Sequence, residues 1–344
     1  MSSHASTSPI SSEQKVPVWQ VEPMTLNPVD RLCLQPVQHQ DLMDNYEDQV
    51  ARFWTMHEID HSTDYKDWCT MNIAEQHYIS KSLAFFANSD NAVMENLATR
   101  FRTDITWPEA QLALGHQCAM EGIHVVSYNN MISSVIKDPI ERQRLFHAVK
   151  NDPIIARKID WIQKWAGDPT VALHICFVAQ CFSEGIGFSP SFASMFWLRK
   201  NQKCQGICFG NEKIVEDESL HVKLFALLYK NCVNKMSREA LVAMCEEFVA
   251  IEHEFVDEAL PYNIKGMNKA LMKQYVCRVA DTVLGELGEA PLYNVANPFS
   301  WMEGIGLMGK TNFFEKNVGE YQKTRKEDQI RSTQFKSLGT DLDF

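Results

Sequence analysis

The fold is decided by the ten-residue stretch AMEGIHVVSY, which spans residues 119–128. Glu121 and His124 stand three positions apart in it, among apolar residues with helical spacing. Two such residues on an α-helix point to the same side of the helix within about 60°. A carboxylate and an imidazole in this arrangement can bind one cation together. The stretch therefore predicts a helix whose geometry permits metal binding.

A second pair with the same spacing, Glu218 and His221, lies in the helical run 214–228. About one such pair is expected by chance in a chain of this composition, so counting motifs is weak evidence. A third match, Glu58 and His61, lies in a charged stretch without an apolar face, and we interpret it as the chance match. The apolar neighbours of the other two pairs predict that their acids are buried.

Two further acids stand in apolar surroundings. Asp90 follows the apolar run 83–87, and Glu184 interrupts the apolar stretch 171–192. Burying an ionised carboxylate is costly, so each acid implies a cation, a base or a proton nearby. Taken singly, Asp90 could cap a helix and Glu184 could form a buried ion pair. Together with the two pairs they make a set of four acids and two imidazoles.

This set matches dinuclear carboxylate sites in helical bundles, where two helices carry Glu-x-x-His and two carry one acid each. Asp90 replaces one Glu here. Oxygen donors with one imidazole per metal favour iron or manganese, whereas a zinc site of thiolates would need cysteines at these positions. The sequence thus predicts an all-α, ferritin-like helical bundle with a dinuclear carboxylate metal site.

Helical periodicity extends from about residue 40 to residue 263, with room for roughly eight helices. The predicted breaks fall at prolines, namely Pro108, Pro139, Pro153, Pro169 and Pro261. We predict three regions: a flexible N-terminal arm over 1–30, the helical domain over 31–312 and a flexible C-terminal tail over 313–344.

Composition excludes several classes of function. A net charge of −11 argues against electrostatic binding to nucleic acid or to an anionic membrane. The longest apolar run, 171–182, is too short to span a bilayer. The ten cysteines form no C-x-x-C pair and are expected to be buried free thiols. With no apolar signal core in the first fourteen residues, we expect a cytoplasmic protein.

Tyr128 lies four residues after His124 and seven after Glu121, so all three fall within about 60° of helical arc. Alone, Tyr128 would be interpreted as a core tyrosine with a bonded hydroxyl. Beside metal ligands, it is expected to face the metals.

The sequence resembles the small subunits of class I ribonucleotide reductases, especially those of eukaryotic type, from about Phe53 to Phe344. The resemblance depends on motifs that occur in the same order, namely FWT (53–55), LAFFA-x-SD (83–90), AME-x-IH (119–124), EGI-x-FS-x-SFA (184–193), DE-x-LH (217–221), NP (297–298) and GKTNFFEK (309–316).

The resemblance implies a ligand for every metal position. One metal would be bound by Asp90, Glu121 and His124, the other by Glu184, Glu218 and His221, with bridging carboxylates. Two iron ions, or alternatively manganese, would react with O2.

That reaction would oxidise Tyr128 to a stored tyrosyl radical. The family's radical pocket matches Phe188, Phe192 and Ile214 here, and these side chains would exclude water and reductants. The resemblance also implies a homodimer.

The oxidising equivalent would pass to a separate large subunit, which reduces ribonucleotides to deoxyribonucleotides. The relay positions that match are His124, Asp217, Trp54 and Tyr321. The tail Leu338–Phe344 would dock into a groove of the large subunit.

Gly187 stands where many relatives carry an aromatic residue, and Val125-Val126-Ser127 stands where polar residues are frequent. The polarity of the radical pocket is therefore expected to differ. Two alternatives remain: a related dimetal oxidase acting on a small molecule, and a non-catalytic or iron-storage bundle. The reductase-like tail argues against the oxidase, and the intact ligands, Tyr128 and Tyr321 argue against the non-catalytic or iron-storage bundle.

Overall fold

The computed structural model describes residues 20–26 and 33–302 of the chain. In these ranges the chain forms thirteen α-helices and no strand: α1 Gln40–Ala51, α2 Asp64–Trp68, α3 Ile73–Asn96, α4 Arg102–Asp104, α5 Pro108–Val135, α6 Pro139–Phe146, α7 Ala148–Asn151, α8 Pro153–Ile162, α9 Leu173–Cys181, α10 Ser189–Lys200, α11 Gln205–Asn231, α12 Arg238–Ala259 and α13 Lys269–Glu286. The predicted all-α class is confirmed.

The described residues also form six short segments of π- or 3₁₀-helix. Three are π-helical segments, Leu97–Phe101, Gln163–Gly167 and Phe182–Gly187. Three are 3₁₀ turns, Pro23–Thr25, Met56–Glu58 and Ser300–Met302. Single π turns inside helices are rare and occur frequently at functional sites.

Prolines begin several helices, as their lack of an N–H group and fixed φ predict. Pro108, Pro139 and Pro153 are the first residues of α5, α6 and α8. These breaks are confirmed. The predicted number of eight helices was too low, because short helices join the long ones and α13 continues the pattern beyond residue 263.

The centre of the molecule is a bundle of four helices. Helix α3 packs along α5, and α11 packs against both α5 and α9. The π segment Phe182–Gly187 continues α9 toward α10. The bundle buries side chains such as Leu83, Phe177 and Phe225 completely. Polar side chains that face this interior need partners, and the candidate site lies there.

Residues 20–26 pack on this body although they fall in the predicted flexible arm 1–30. The side chain of Met24 is fully buried, and its carbonyl accepts a 2.7 Å hydrogen bond from the N–H of Thr106. Glu22 accepts a 2.7 Å hydrogen bond from the N–H of Val233. The arm prediction therefore does not describe these seven residues. The predicted tail 313–344 lies outside the described residues.

All ten cysteines are free, but not all are buried. Six are buried, whereas Cys33 and Cys69 are exposed, so the expectation of buried thiols is wrong for these two. In the described ranges, no helix is both long enough and apolar enough to cross a membrane.

Candidate metal centre

The structure brings the six predicted ligands together inside the bundle. Asp90 comes from α3, Glu121 and His124 from α5, Glu184 from the π segment, and Glu218 and His221 from α11. All six residues are fully buried. They form two overlapping groups that share Glu121: Asp90, Glu121 and His124, and Glu121, Glu184, Glu218 and His221. Within each group, one donor atom from every residue lies within 4.8 Å of the others.

Two carboxylates lie between the two histidines. The Glu121 oxygens are 3.4 Å from Nδ1 of His124 and 3.1 Å from Nδ1 of His221. The Glu218 oxygens are 3.1 Å from Nδ1 of His124 and 3.2 Å from Nδ1 of His221. Each carboxylate thus directs one oxygen toward each imidazole, which is the arrangement that allows a carboxylate to bridge two cations.

The orientation of His124 is set by Asp217. Nε2 of His124 lies 3.0 Å from Oδ2 of Asp217. A carboxylate accepts hydrogen bonds, so we assign the imidazole hydrogen to Nε2. The Nδ1 lone pair then faces the oxygens of Glu121 and Glu218, and a proton or a cation is needed between them. A metal-binding imidazole typically donates its other N–H to such a partner.

Two glutamines hold Glu184 from one side. The amides of Gln117 and Gln180 donate hydrogen bonds of 2.9 and 2.8 Å to its Oε1. Sequence reasoning missed both glutamines. The available signal was spacing, because Gln180 precedes Glu184 by four residues and Gln117 precedes Glu121 by four, each on an apolar helix.

Several donor atoms of the cluster have no hydrogen-bond partner among the described residues. They are Oδ2 of Asp90, Oε2 of Glu121, Nδ1 of His124, Oε2 of Glu184 and Oε1 of Glu218. Buried polar atoms are rarely left unpaired, so a group of unpaired ligand atoms at one place indicates a site that suits cations. Carboxylate oxygens with one imidazole for each metal suit iron or manganese. The residues present therefore fit two metal ions.

The pKa values describe a cluster that needs positive charge. Burial raises the pKa of Asp90 and Glu184 well above the usual range, and neighbouring carboxylates raise it further. Burial would also raise the pKa of Glu121, but the close approach of His124 and His221 outweighs it and gives a pKa of about 2. Without metal, protons must compensate the buried charge. Divalent cations could replace those protons.

Tyr128 lies in a closed aromatic pocket. Its ring stacks on Phe86 with 4.5 Å between centroids, and Phe86 in turn contacts Phe192 at 4.8 Å and Phe188 at 5.5 Å. Ile214 is fully buried on α11. Phe86 was not among the predicted pocket residues, although it lies in the apolar run that precedes Asp90.

The Tyr128 hydroxyl is fully buried and has no hydrogen-bond partner among the described residues. Burial raises the pKa of Tyr128 well above its usual range, and the charges of Asp90 and Glu218 add to this effect. The phenol therefore keeps its proton at neutral pH. Removing an electron from it requires removal of the proton as well.

Trp54 connects to the cluster through Asp217. It is 1% exposed, and its Nε1 donates a 2.7 Å hydrogen bond to the same Asp217 oxygen that His124 contacts. Its ring also lies nearly parallel to the His124 imidazole, at 6.0 Å between centroids and 18° between planes. Tyr321 lies outside the described residues.

The third Glu-x-x-His match has other partners. Glu58 accepts a 2.8 Å hydrogen bond from the N–H of Thr55, and His61 lies 2.8 Å from Asp64. Neither Glu58 nor His61 belongs to the six-residue cluster.

Comparison with known proteins agrees with this geometry. Residues 31–298 match the family model described as ribonucleotide reductase, small chain. The sequence is 44% identical to the ribonucleoside-diphosphate reductase small chain of Nicotiana tabacum over 309 residues, which cover 90% of this chain and 93% of that protein. It is 44% identical to ribonucleoside-diphosphate reductase subunit M2 of Homo sapiens, over 88% of this chain and 78% of that one.

Solved structures show the same fold. The ribonucleotide reductase Rnr4 homodimer from Saccharomyces cerevisiae matches 88% of this chain and 93% of its own, with a TM-score of 0.76 and 29% identity. The dimanganese(II) NrdF of Streptococcus sanguinis matches 79% of this chain and 96% of its own, with a TM-score of 0.68. At 18% identity, the second likeness concerns the fold alone.

Proposed function

Given that this chain belongs to the ribonucleotide reductase small-chain family and is a ribonucleoside-diphosphate reductase small subunit, we propose that its buried cluster holds two metal ions that serve to oxidise Tyr128. The observation that carries the proposal is the meeting of six buried ligand side chains from four elements. Their unpaired donor atoms and the adjoining closed pocket of Tyr128 support it.

The proposed division of ligands follows the two overlapping groups, which share Glu121, and the position of Glu218 between the two histidines. Asp90 and His124 would bind one ion, Glu184 and His221 would bind the other, and Glu121 and Glu218 would bridge them. We propose iron as the metal, with manganese as the alternative that the same donors accept. The ions, together with O2, supply the one-electron oxidising power that a tyrosine requires.

Tyr128 would give up one electron and its phenolic proton, leaving a neutral tyrosyl radical. The pocket of Phe86, Phe188 and Phe192 would protect that radical because it excludes water and soluble reductants from the ring. We assign Ile214 to the same pocket.

We propose that oxidising equivalents leave the site along His124, Asp217 and Trp54. One Asp217 oxygen contacts both His124 and the Trp54 indole, so these three side chains form an unbroken hydrogen-bonded path. Tyr321, in the tail, would continue this path toward a large subunit, where ribonucleotides are reduced to deoxyribonucleotides.

The partners proposed are a second copy of this chain and a large ribonucleotide reductase subunit. The similar yeast protein is a homodimer, which supports the first. For the second, we propose that the tail Leu338–Phe344 inserts its apolar side chains into a groove of the large subunit. The ten free cysteines support a cytoplasmic location.

Reconstitution with a large subunit tests this function. The full chain, loaded anaerobically with ferrous iron and exposed to O2, should support ribonucleotide reduction when the large subunit is added. Deletion of residues 338–344 should abolish binding to the large subunit and reduction, while the tyrosyl radical still forms. Reduction that proceeds unchanged after the deletion would contradict the role of the tail.

A loaded protein that consumes O2 without forming a tyrosyl radical would contradict the proposed oxidation of Tyr128. It would favour instead an oxidase that acts on a small molecule or an iron-storage bundle.

A further inference from the structure

A second buried charged group lies outside the cluster. Lys158 on α8 and Glu252 on α12 form an ion pair of 2.9 Å, and both side chains are fully buried. Removing two charges from water is costly, and apolar residues of similar size often give equal or greater stability. The contribution of this pair to stability is therefore a weak reason for its presence.

The ammonium group of Lys158 makes contacts beyond Glu252. Its Nζ donates a 2.8 Å hydrogen bond to the backbone carbonyl of Gly187. It also lies 3.4 Å from the ring centroid of Phe85 and 4.2 Å from that of Phe255. Two ring faces, a carboxylate and a carbonyl thus surround one buried cation.

Gly187 is the last residue of the π segment that carries Glu184. It is followed by Phe188, whose ring contacts Phe85 at 5.6 Å and Phe86 at 5.5 Å. The bond from Lys158 therefore acts on the backbone between a metal-ligand candidate and a residue of the Tyr128 pocket.

The side chains of Phe248 and Glu252 fill the space next to the Gly187 Cα atom. A Cβ atom there would lie 2.9 Å from Cζ of Phe248 and 3.6 Å from Oε1 of Glu252. Phe248 cannot move back easily, because it stacks on Trp161 with 4.1 Å between centroids. A side chain at position 187 would therefore require Phe248 to shift. The backbone is pressed directly against Phe248 and the buried pair.

We propose that Lys158 and Glu252 are positioning residues for the metal centre: Glu252 fixes the Lys158 ammonium, and the ammonium holds the Gly187 carbonyl so that the π segment directs Glu184 into the cluster. A change from π to α register would rotate the side chains beyond it by up to about 100°, one residue's turn. Loss of the hydrogen bond to Gly187 would therefore misdirect Glu184 or Phe188. The part concerning metals depends on the proposed function, whereas the anchoring of the segment does not.

The test replaces the pair without leaving an unpaired charge. Lys158→Met/Glu252→Met removes both charges, and Lys158→Met/Glu252→Gln does the same while keeping the shape of Glu252, should the first variant fail to fold. The matched control is Arg157→Met/Glu254→Met, which removes an exposed ion pair, 53% and 49% accessible, between the same two helices.

Three measurements are made on the full chain: hydrogen exchange of the amides of residues 182–189 without metal, thermal unfolding without metal, and anaerobic Mn²⁺ titration. In the buried-pair variant we expect faster exchange in residues 182–189 and Mn²⁺ affinity lowered by about 10-fold or more. At pH 7, unfolding should stay close to that of the wild type, and the control should behave like the wild type in all three.

Exchange that matches the control would overturn the anchoring of the segment. Faster exchange with unchanged Mn²⁺ affinity would overturn the positioning role. If the wild-type chain binds no Mn²⁺ or Fe²⁺, the proposed function fails, while the exchange measurement still decides whether Lys158 holds the segment.

Discussion

The Trp54 indole Nε1 donates a 2.7 Å hydrogen bond to Oδ2 of Asp217, a residue 163 positions later in the chain. The same oxygen lies 3.0 Å from Nε2 of His124. One carboxylate therefore orients both a metal-ligand candidate and a buried tryptophan. Because Asp217 contacts His124 directly, the indole can be replaced without removing the contact that orients His124.

Trp54→Phe should impair ribonucleotide reduction without impairing metal binding. The phenyl ring keeps most of the packing, and Asp217 keeps its bond to His124, so we expect normal metal binding and a normal Tyr128 radical. Ribonucleotide reduction with the large subunit should fall to background, because the indole link of the proposed path is lost. Electron paramagnetic resonance and a reduction assay check the two expectations.

The control is Trp197→Phe, since Trp197 is also 1% exposed and its Nε1 donates a 2.8 Å hydrogen bond to the carbonyl of Lys265, outside the proposed path. It should leave reduction largely intact. The relay assignment is wrong if Trp54→Phe reduces ribonucleotides at the wild-type rate.

Gln180→Leu should weaken metal binding by about 10-fold, because residues that orient metal ligands commonly contribute this much to affinity. The substitution removes one of the two amide donors to Oε1 of Glu184. Anaerobic Mn²⁺ titration measures the change. Gln143→Leu is the control, since the Gln143 amide hydrogen-bonds to His147 at an exposed position on α6. Equal affinities for the two variants would mean that Gln180 does not orient Glu184.

Tyr128→Phe should abolish the radical signal without lowering stability. The buried hydroxyl has no hydrogen-bond partner among the described residues, so its removal should leave the free energy of unfolding of the metal-free chain unchanged or raise it by up to about 1 kcal/mol. Denaturant unfolding measures the stability, and electron paramagnetic resonance after Fe²⁺ and O2 measures the radical. A tyrosyl signal that persists in the variant would place the radical on another residue.

The stability that the Lys158–Glu252 pair contributes to the folded chain should decrease as the pH rises. Burial raises the pKa of Glu252 to about 7, although Lys158 opposes this, and burial lowers the pKa of Lys158 to about 8. Between pH 4.5 and 7 the folded chain then holds a proton on Glu252 that the unfolded chain releases. Stability from this group is therefore lost as pH rises through that window, by up to about 1.4 kcal/mol per pH unit.

Lys158→Met/Glu252→Met lacks this proton, whereas the other titrating groups are common to both proteins. The free energy of unfolding of the metal-free variant minus that of the wild type should increase from pH 4.5 to pH 7. A difference that stays constant over this range would show that Glu252 titrates normally.

The sequence predicted the bundle and the six ligand candidates because their signal is local. Acids on apolar helix faces can be seen in one segment at a time, as Glu121 and Glu218 show. The side chains that support the ligands were missed, because their contacts depend on packing between segments that are distant in the chain. Nothing near Lys158 indicates that its ammonium contacts Gly187, 29 residues later.

The π register around Glu184 was also not predictable from local sequence. The run 171–192 has the composition of a continuous helix, and the contacts that its π segment makes with Lys158 and with α12 come from distant parts of the chain. The packing of residues 20–26 was missed for a related reason. A short polar segment gives little local signal, and Met24 is buried only because the bundle offers a site for it.

The central claim, that the six side chains bind a pair of metal ions, is tested most directly by anaerobic titration calorimetry of the full chain with Fe²⁺. We predict that two ions bind to each chain, and that this binding is lost in His124→Ala/His221→Ala. Fewer than two ions in the wild type, or two ions still bound by the double variant, would contradict the claim.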